Sequence, residues 1–376
     1  MPHSEGWARR LLRELRDPDT VLSRARTYAD PVFLQLFFSW LDERIYRDPH
    51  AALKWAKIAP DLALLVPKDD SPEGRREHCD RAVKAWAILG SAYRASGRPS
   101  EAEEPYSQAL NLISSESIST LIQADTGRRL SYLRACQGRH DEALELATEA
   151  ADSLRDLGNG RALARALIAK GYALFGLRKY SEALVCFGDA LVAAGKPDKR
   201  AAEDLRLHSS ICHNLAVAVS VTRPGDQSAA LSYIRKARAL VKGGRRFVPR
   251  YRLLWVEGLV WSALGYHARA ETAYKIAREG FVALKMPFEI ALVSLDLGAI
   301  YAEHSEWDKL IPLAVETFQR FRVLAADTEA IAALSLWADA VKARKLTDEI
   351  TTRARQKIEA RIGPGGCCRS RERSTV

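Results

Sequence analysis

The chain reads as an all-α array of paired helices, and three observations predict it. The first is the stretch Trp86 to Ala109, WAILGSAYRASGRPSEAEEPYSQA, with apolar and small residues at Trp86, Leu89, Gly90, Tyr93, Gly97, Ala102, Tyr106 and Ala109. Spacings of three and four place these on one face of two short helices joined by a tight turn. The second is recurrence. A small residue in the first helix of each pair returns at Gly90, Ser131, Gly171, Ala216, Gly258 and Gly298. One in the second helix returns at Ala102, Ala143, Ala183, Ala230 and Ala270, with Leu310 in sixth place, in steps of 41, 40, 47, 40 and 40 residues. Two independent positions keeping one period mark an internal repeat. The third is composition. At 47% apolar and 28% charged residues the chain is ordered. Its 376 residues exceed the roughly 250–300 at which single cores stop growing. That limit does not bind an array whose repeats pack only on their neighbours.

Taken in order, residues 1–72 read as leading helices and a degenerate first repeat. Asp30-Pro31 and Asp48-Pro49 each place Asp at an N-cap and Pro at the first helical position, opening helices over 31–47 and 50–66. Ala52, Ala56 and Ala59 supply the small residues of the second of these, which Pro60 kinks or ends. The run PVFLQLFF, residues 31–38, is too apolar for an exposed helix. It packs either on the next repeat or on a partner. Residues 67–72 (PKDDSP) form a loop, and 73–343 the repeat array. Extra residues around Arg223, Pro224, Gly225 and Asp226 enlarge its fourth unit. Residues 330–343 read as a further first helix, and 344–362 as a capping segment with a charged face of Arg353, Arg355, Lys357, Glu359 and Arg361. The Gly-rich, basic stretch 363–376 reads as a disordered tail.

The pattern W-x2-L-G-x2-Y followed by A-x3-Y-x2-A resembles the tetratricopeptide (TPR) unit. The third unit, Lys170 to Leu184, and the fifth, Leu254 to Ala277, resemble it most closely. Units near 40 residues resemble the long TPR units of bacterial TPR proteins and of the sensor regions of bacterial transcription regulators. The resemblance covers roughly 80–320 and implies a right-handed solenoid of six or seven helix pairs. It also implies protein–protein interaction, as a scaffold, adaptor or ligand-responsive sensor. Such regulators carry an ATP-binding or DNA-binding domain beside the repeats. This sequence shows neither pattern, so the expectation is action through a separate protein.

In TPR arrays, positions 2, 5, 9 and 12 of the first helix line the concave groove. Counting the recurrent small residue as position 8 gives Lys84, Arg94, Arg128, Tyr132, Arg165, Tyr172, His213, Arg252 and Trp255. The set is basic and aromatic, suited to gripping carboxylates and holding extended backbone. It implies a protein or peptide partner of acidic character, against the alternative of a merely solvated groove. The family's carboxylate clamp needs Lys and Asn at positions 5 and 9. Here those positions are Ala87 and Ser91, Arg128 and Tyr132, then Ile168 and Tyr172, so that clamp is not expected.

A second basic feature spans 235–252, RKARALVKGGRRFVPRYR, with eight Lys or Arg, no acid, and Phe247 and Tyr251 interleaved. It supports an alternative reading as a nucleic-acid-associated repeat protein, with Lys242, Arg245, Arg246 and Arg250 on phosphates. The bland reading is a solvated loop. The net charge of +10 favours acidic partners in either case.

No catalytic motif is present, and the chain reads as a non-enzyme without cofactor. His208, Cys212 and His213 are the nearest approach to a metal cluster, but a site needs three or four ligands, so ordinary packing is expected. Cys367 and Cys368 are read as incidental to the tail. The six cysteines form no C-x2-C pair, and the charged N-terminus, MPHSEGWARRLLRELRD, has no signal-like apolar core. No apolar run reaches the roughly 18 residues of a membrane span. The expected location is the cytoplasm.

Overall fold

The computed structural model describes residues 5–15, 17–198, 201–223, 226–240, 248–324 and 328–362. The tail 363–376, Cys367, Cys368, Lys242, Arg245 and Arg246 lie outside the described residues. Those that are described form α-helices, one 3-10 turn and the loops between them, with no strand. The fold is a TPR-like α-solenoid in its local build, and the chain divides into two compact units.

The first unit comprises Met1–Arg134 and Glu142–Ala166. Its leading helices are α1 (Glu5–Glu14), α2 (Pro18–Ser23), α3 (Ala25–Tyr28), α4 (Pro31–Arg47), α5 (Pro49–Ala56) and α6 (Ala59–Leu65). They lead into α7 (Pro72–Ala95), a 3-10 turn at Ser100–Ala102, α8 (Glu103–Ser115) and α9 (Thr120–Cys136). Next come α10 (His140–Asp156) and α11 (Gly160–Gly176), across which the unit boundary runs. Local chemistry sets the starts. The Asp30 carboxylate accepts from the backbone N–H of Val32 and Phe33, and that of Asp48 from Ala51, with Pro at the first position of each helix. The expected helix over 50–66 is two helices. It stops at Ala56 and restarts with Pro60 in its first turn, where a missing N–H breaks no hydrogen bond. The apolar run of α4 is internal. Phe33, Leu34, Phe37 and Phe38 are buried with Leu53, Trp55, Leu62, Ala85 and Ile88 from α5, α6 and α7.

The second unit holds Ala135–Asp141 and Leu167–Val376. It contains α12 (Tyr180–Ala194), α13 (Ala202–Thr222), α14 (Gln227–Leu240), α15 (Val248–Ala263), α16 (His267–Ala283), α17 (Pro287–Glu303), α18 (Trp307–Leu324), α19 (Thr328–Lys342) and α20 (Asp348–Ile362). Each helix packs on the next from α12 to α20. The last one also turns back onto α17, which is buried on nearly every side.

One packing device explains both recurrent small positions. Tyr106 of α8 lies so close over Gly90 of α7 that a Cβ there would stand 2.6 Å from its ring, and Tyr274 of α16 sits at the same 2.6 Å over Gly258 of α15. Where the first helix carries Ser131, the residue sixteen positions on is Ala147, also fully buried. Large faces small in some pairs, and both positions are small and buried in another. Ala102, Ala143, Ala183, Ala230, Ala270 and Leu310 all have no exposed surface, as close helix approach requires. The residue seven past the first-helix position is left-handed in five units, at Gly97, Gly138, Arg178, Gly265 and Ser305, as is Arg344 after α19, with φ between 51° and 78°; the fourth unit differs, with Arg223 at φ -133°.

Candidate ligand-binding faces

In the first unit, a charged cluster joins α4, α7 and α9. Arg129 donates from Nη1 and Nη2 to the two carboxylate oxygens of Asp42, both at 2.8 Å, and from Nε to Asp125 at 2.7 Å. Arg128 donates from Nε to the other Asp125 oxygen at 3.0 Å. Burial works against the charged form of Asp42, but the Arg129 guanidinium overrides it and holds the carboxyl below its usual range. Asp125 is held lower still by Arg128 and Arg129.

Three of the sequence-derived groove residues meet around a fourth here. Tyr132 has the Arg94 guanidinium 5.5 Å and that of Arg128 5.9 Å from its ring centroid. Burial raises the pKa of the Tyr132 hydroxyl, and Arg128, Arg94 and Arg165 oppose that rise through their charge. Lys84 stands apart, over the ring of Phe38 at 5.8 Å. The Nε of Arg94 is buried without a hydrogen-bond partner.

In the second unit, Tyr172 of α11 donates its hydroxyl to Asn214 Oδ1 of α13 at 2.8 Å. The Tyr172 ring rests edge-on against Phe187, which in turn seats on Gly171. Asn214 is 3% exposed, and its Nδ2 has no hydrogen-bond partner. Beside it on α13, His213 has its pKa pushed down to about 3 by burial and by the charge of Arg252 on α15. Arg252 donates to Glu289 of α17 at 2.9 Å, and its own Nε is buried and unpaired. Trp255 belongs to the core. It has no exposed surface, and its indole N–H donates to Asp296 at 2.6 Å. The other Asp296 oxygen accepts from Arg355 of α20.

Counting positions 2, 5, 9 and 12 passed over the position that carries the buried polar groups. Arg129, Asn214 and Asp296 all occupy position 6 of their units, and all are at most 8% exposed. The signal was in the sequence. Position 6 is Ile88, Ala169 and Val256 in the other units, so a charged or amide side chain there breaks an apolar column.

The basic stretch places Arg250 exposed near the start of α15, while Tyr251 packs inward on Gly280 and Phe281. His208 sits with its ring nitrogens 2.8 and 2.9 Å from the carbonyl oxygens of Asp204 and Gly195. Cys212 is buried with Ala237 and Leu253. Among the described residues, no group of three or more His, Cys, Asp or Glu is placed to hold a metal. No described helix is long and apolar enough to cross a membrane.

No protein-family model matches the sequence, and no curated protein matches it. Solved structures do resemble the fold. A Rap protein complexed with competence and sporulation factor matches with a TM-score of 0.60 at 15% identity, over 87% of this chain and 87% of its own. Aspartyl phosphate phosphatase F from Bacillus subtilis matches at 0.54 and 12%, over 80% and 73%. NprR in complex with its cognate peptide NprX matches at 0.52 and 14%, over 87% and 86%. At these identities the likeness is one of fold, and it sets this chain beside TPR-like helical-repeat proteins.

Proposed function

We propose that this protein is a peptide-binding regulatory module, and that the α11–α13–α15 face around Asn214 holds the peptide. The observation that carries the reading is the Asn214 amide. A buried, unpaired amide N–H costs free energy, and it persists where a ligand completes it. A Tyr hydroxyl either donates or accepts, so whichever way the amide is turned, Tyr172 satisfies one end and leaves the other open. An extended peptide offers carbonyl and N–H groups at the spacing such an amide engages. His213 is neutral at physiological pH, and Arg252, partly offset by Glu289, adds one cation to the same face. The similarity to NprR, solved with a cognate peptide, supports the same reading. The Rap protein was likewise solved with competence and sporulation factor bound.

Panning a randomised heptapeptide library on the purified protein, followed by calorimetry, tests the proposal. Enriched peptides are expected to bind, and Asn214→Ala to weaken them about tenfold or more through loss of one hydrogen bond from a desolvated site. The proposal fails if no sequence is enriched, or if the enriched peptides bind Asn214→Ala as tightly as the unsubstituted protein.

A further inference from the structure

We infer that the first unit carries a site for an oxyanion, a carboxylate or phosphate, gripped by Arg94 and Arg128 around Tyr132. This goes beyond the peptide face of the second unit and does not depend on it.

The argument is one of unbalanced charge. Arg94, Arg128 and Arg165 all act on the Tyr132 hydroxyl, and Arg94, Arg128 and Arg129 act together on that of Tyr106. The carboxylates paired with Arg128 and Arg129 are Asp42 and Asp125. Both are spent. Asp42 gives its two oxygens to Arg129, and Asp125 gives one to Arg129 and one to Arg128. Arg94 has no ion pair among the described residues, and its Nε is out of contact with solvent and with any acceptor. Its planar group faces the Tyr132 ring, 5.5 Å from the centroid.

A guanidinium is always charged, so this excess cannot be relieved by losing a proton, as a lysine could relieve it. Partly removed from water, it is relieved by a counter-anion. The planar fork of Arg94 presents paired N–H groups that match the two oxygens of a carboxylate or phosphate. The surrounding wall already orders Arg128 through Asp125 and Arg129 through Asp42, so an arriving anion meets a largely fixed frame. Free phosphate, a phosphorylated group and a run of acidic side chains share this chemistry.

The test is thermal denaturation and calorimetry of the full chain with two probes. One is inorganic phosphate, against chloride at matched ionic strength. The other is an N-acetylated, C-amidated tetraglutamate peptide. At least one probe is expected to raise the melting temperature saturably, as a ligand of the native state does. Arg94→Gln should weaken that binding about tenfold or more, the loss of a charge-assisted contact. Arg94→Lys, which keeps the charge without the fork, should fall between. Arg320→Gln, which removes a surface cation of the second unit, should leave the response unchanged. Tighter binding of phosphate would identify a phosphate-bearing ligand, and tighter binding of the peptide an acidic segment. The site is refuted if neither probe gives a saturable shift beyond chloride, or if Arg94→Gln responds as the unsubstituted protein does. Should Arg94→Gln fail to fold, Arg94→Lys decides, and an affinity equal to that of the unsubstituted protein refutes the site.

Discussion

Arg129 in the first unit and Asp296 in the second occupy the same repeat position, are both buried, and carry opposite charge. Each is satisfied by a helix that is not its partner in a pair. Arg129 of α9 reaches Asp42 of α4, eighty-seven residues away, and Asp296 of α17 takes Arg355 of α20, fifty-nine residues away. The surroundings differ. Asp42 keeps 37% of its side chain exposed, whereas Arg355 keeps 8%. The comparison shows that a repeat array is self-similar where its helices pack and individual where its polar groups are buried. Shape complementarity recurs every 40 residues or so. The partners of buried charges come from wherever the chain happens to return.

Removing one member of each pair should separate the two regions. Asp296→Ala leaves Arg355 charged and almost wholly buried, and strips the Trp255 indole of its acceptor. Breaking such a pair costs about 3–5 kcal/mol, the largest effect expected here. Arg129→Ala leaves Asp42 half able to reach water and Asp125 still paired to Arg128, so its cost should be smaller, about 2–3 kcal/mol. Urea denaturation measures both, and equal losses would remove the distinction. The paired change Asp296→Leu with Arg355→Met should recover most of the stability lost by Asp296→Ala, because an apolar pair carries no desolvation penalty.

Acid should act first through the buried histidines, His213 above all. Burial and the charge of Arg252 push the His213 pKa down to about 3, against about 6.5 for a free imidazole. Between those values the unfolded state binds the proton and the folded state does not, so stability falls as pH drops through that window. The loss amounts to a few kcal/mol at its fullest. Asp42 and Asp125 have carboxyls held below 3.8. Their stabilisation is present above the unfolded value and is lost only as pH falls through the folded ones. His78 and His140 are also lowered by burial, so the expected signature is a difference. His213→Gln should flatten the fall between pH 6.5 and 4 while leaving the steeper loss below it. An unchanged profile would mean that the imidazole is not shielded from protonation.

Asn214 is the third residue at position 6 and sharpens the same comparison, because Tyr172 of α11 satisfies only its amide oxygen and leaves Nδ2 without a partner. Replacing the Tyr172–Asn214 pair by Phe and Leu removes an unmade hydrogen bond along with the one that is made. It should raise the stability of the ligand-free protein by about 1 kcal/mol while abolishing the binding assigned to that face. Opposed changes in stability and affinity would be hard to explain if Asn214 served only to hold helices together.

How much of this was legible in the sequence follows from the same division. The packing positions were readable because they repeat, and Gly90, Ala102 and their counterparts turned up where helices approach. The caps at Asp30 and Asp48 were readable because they are local. Of the residues assigned to a groove, Arg94, Arg128, Arg165 and Tyr132 do converge, but Trp255 faces the core, as Ala87, Ile168 and Leu295 do at the same position 5. Nothing local to residue 255 or 296 announces that α20 folds back onto α17. The pairings of Asp42 with Arg129 and of Asp296 with Arg355 depend on contacts far apart in the chain, and no periodicity encodes them. Position 6 as a polar interruption of an apolar column was visible, had the column been read by itself.

The smallest effects expected lie in the turns, which are of two kinds. Three turns of the array carry glycine at the left-handed residue, Gly97, Gly138 and Gly265, whereas three others carry Arg178, Ser305 and Arg344 at φ of 62°, 55° and 51°. A side chain in this conformation crowds its own backbone at a cost of about 1 kcal/mol, which glycine avoids. Glycine also enlarges the conformational freedom of the unfolded chain, which returns part of the gain. Each of Arg178→Gly, Ser305→Gly and Arg344→Gly should therefore stabilise by about 0.5 kcal/mol, and the three together by a readily measured rise in melting temperature. If the triple variant is instead destabilised, these side chains contribute contacts that outweigh the backbone strain, and these three turns are held by their side chains where the other three are held by glycine.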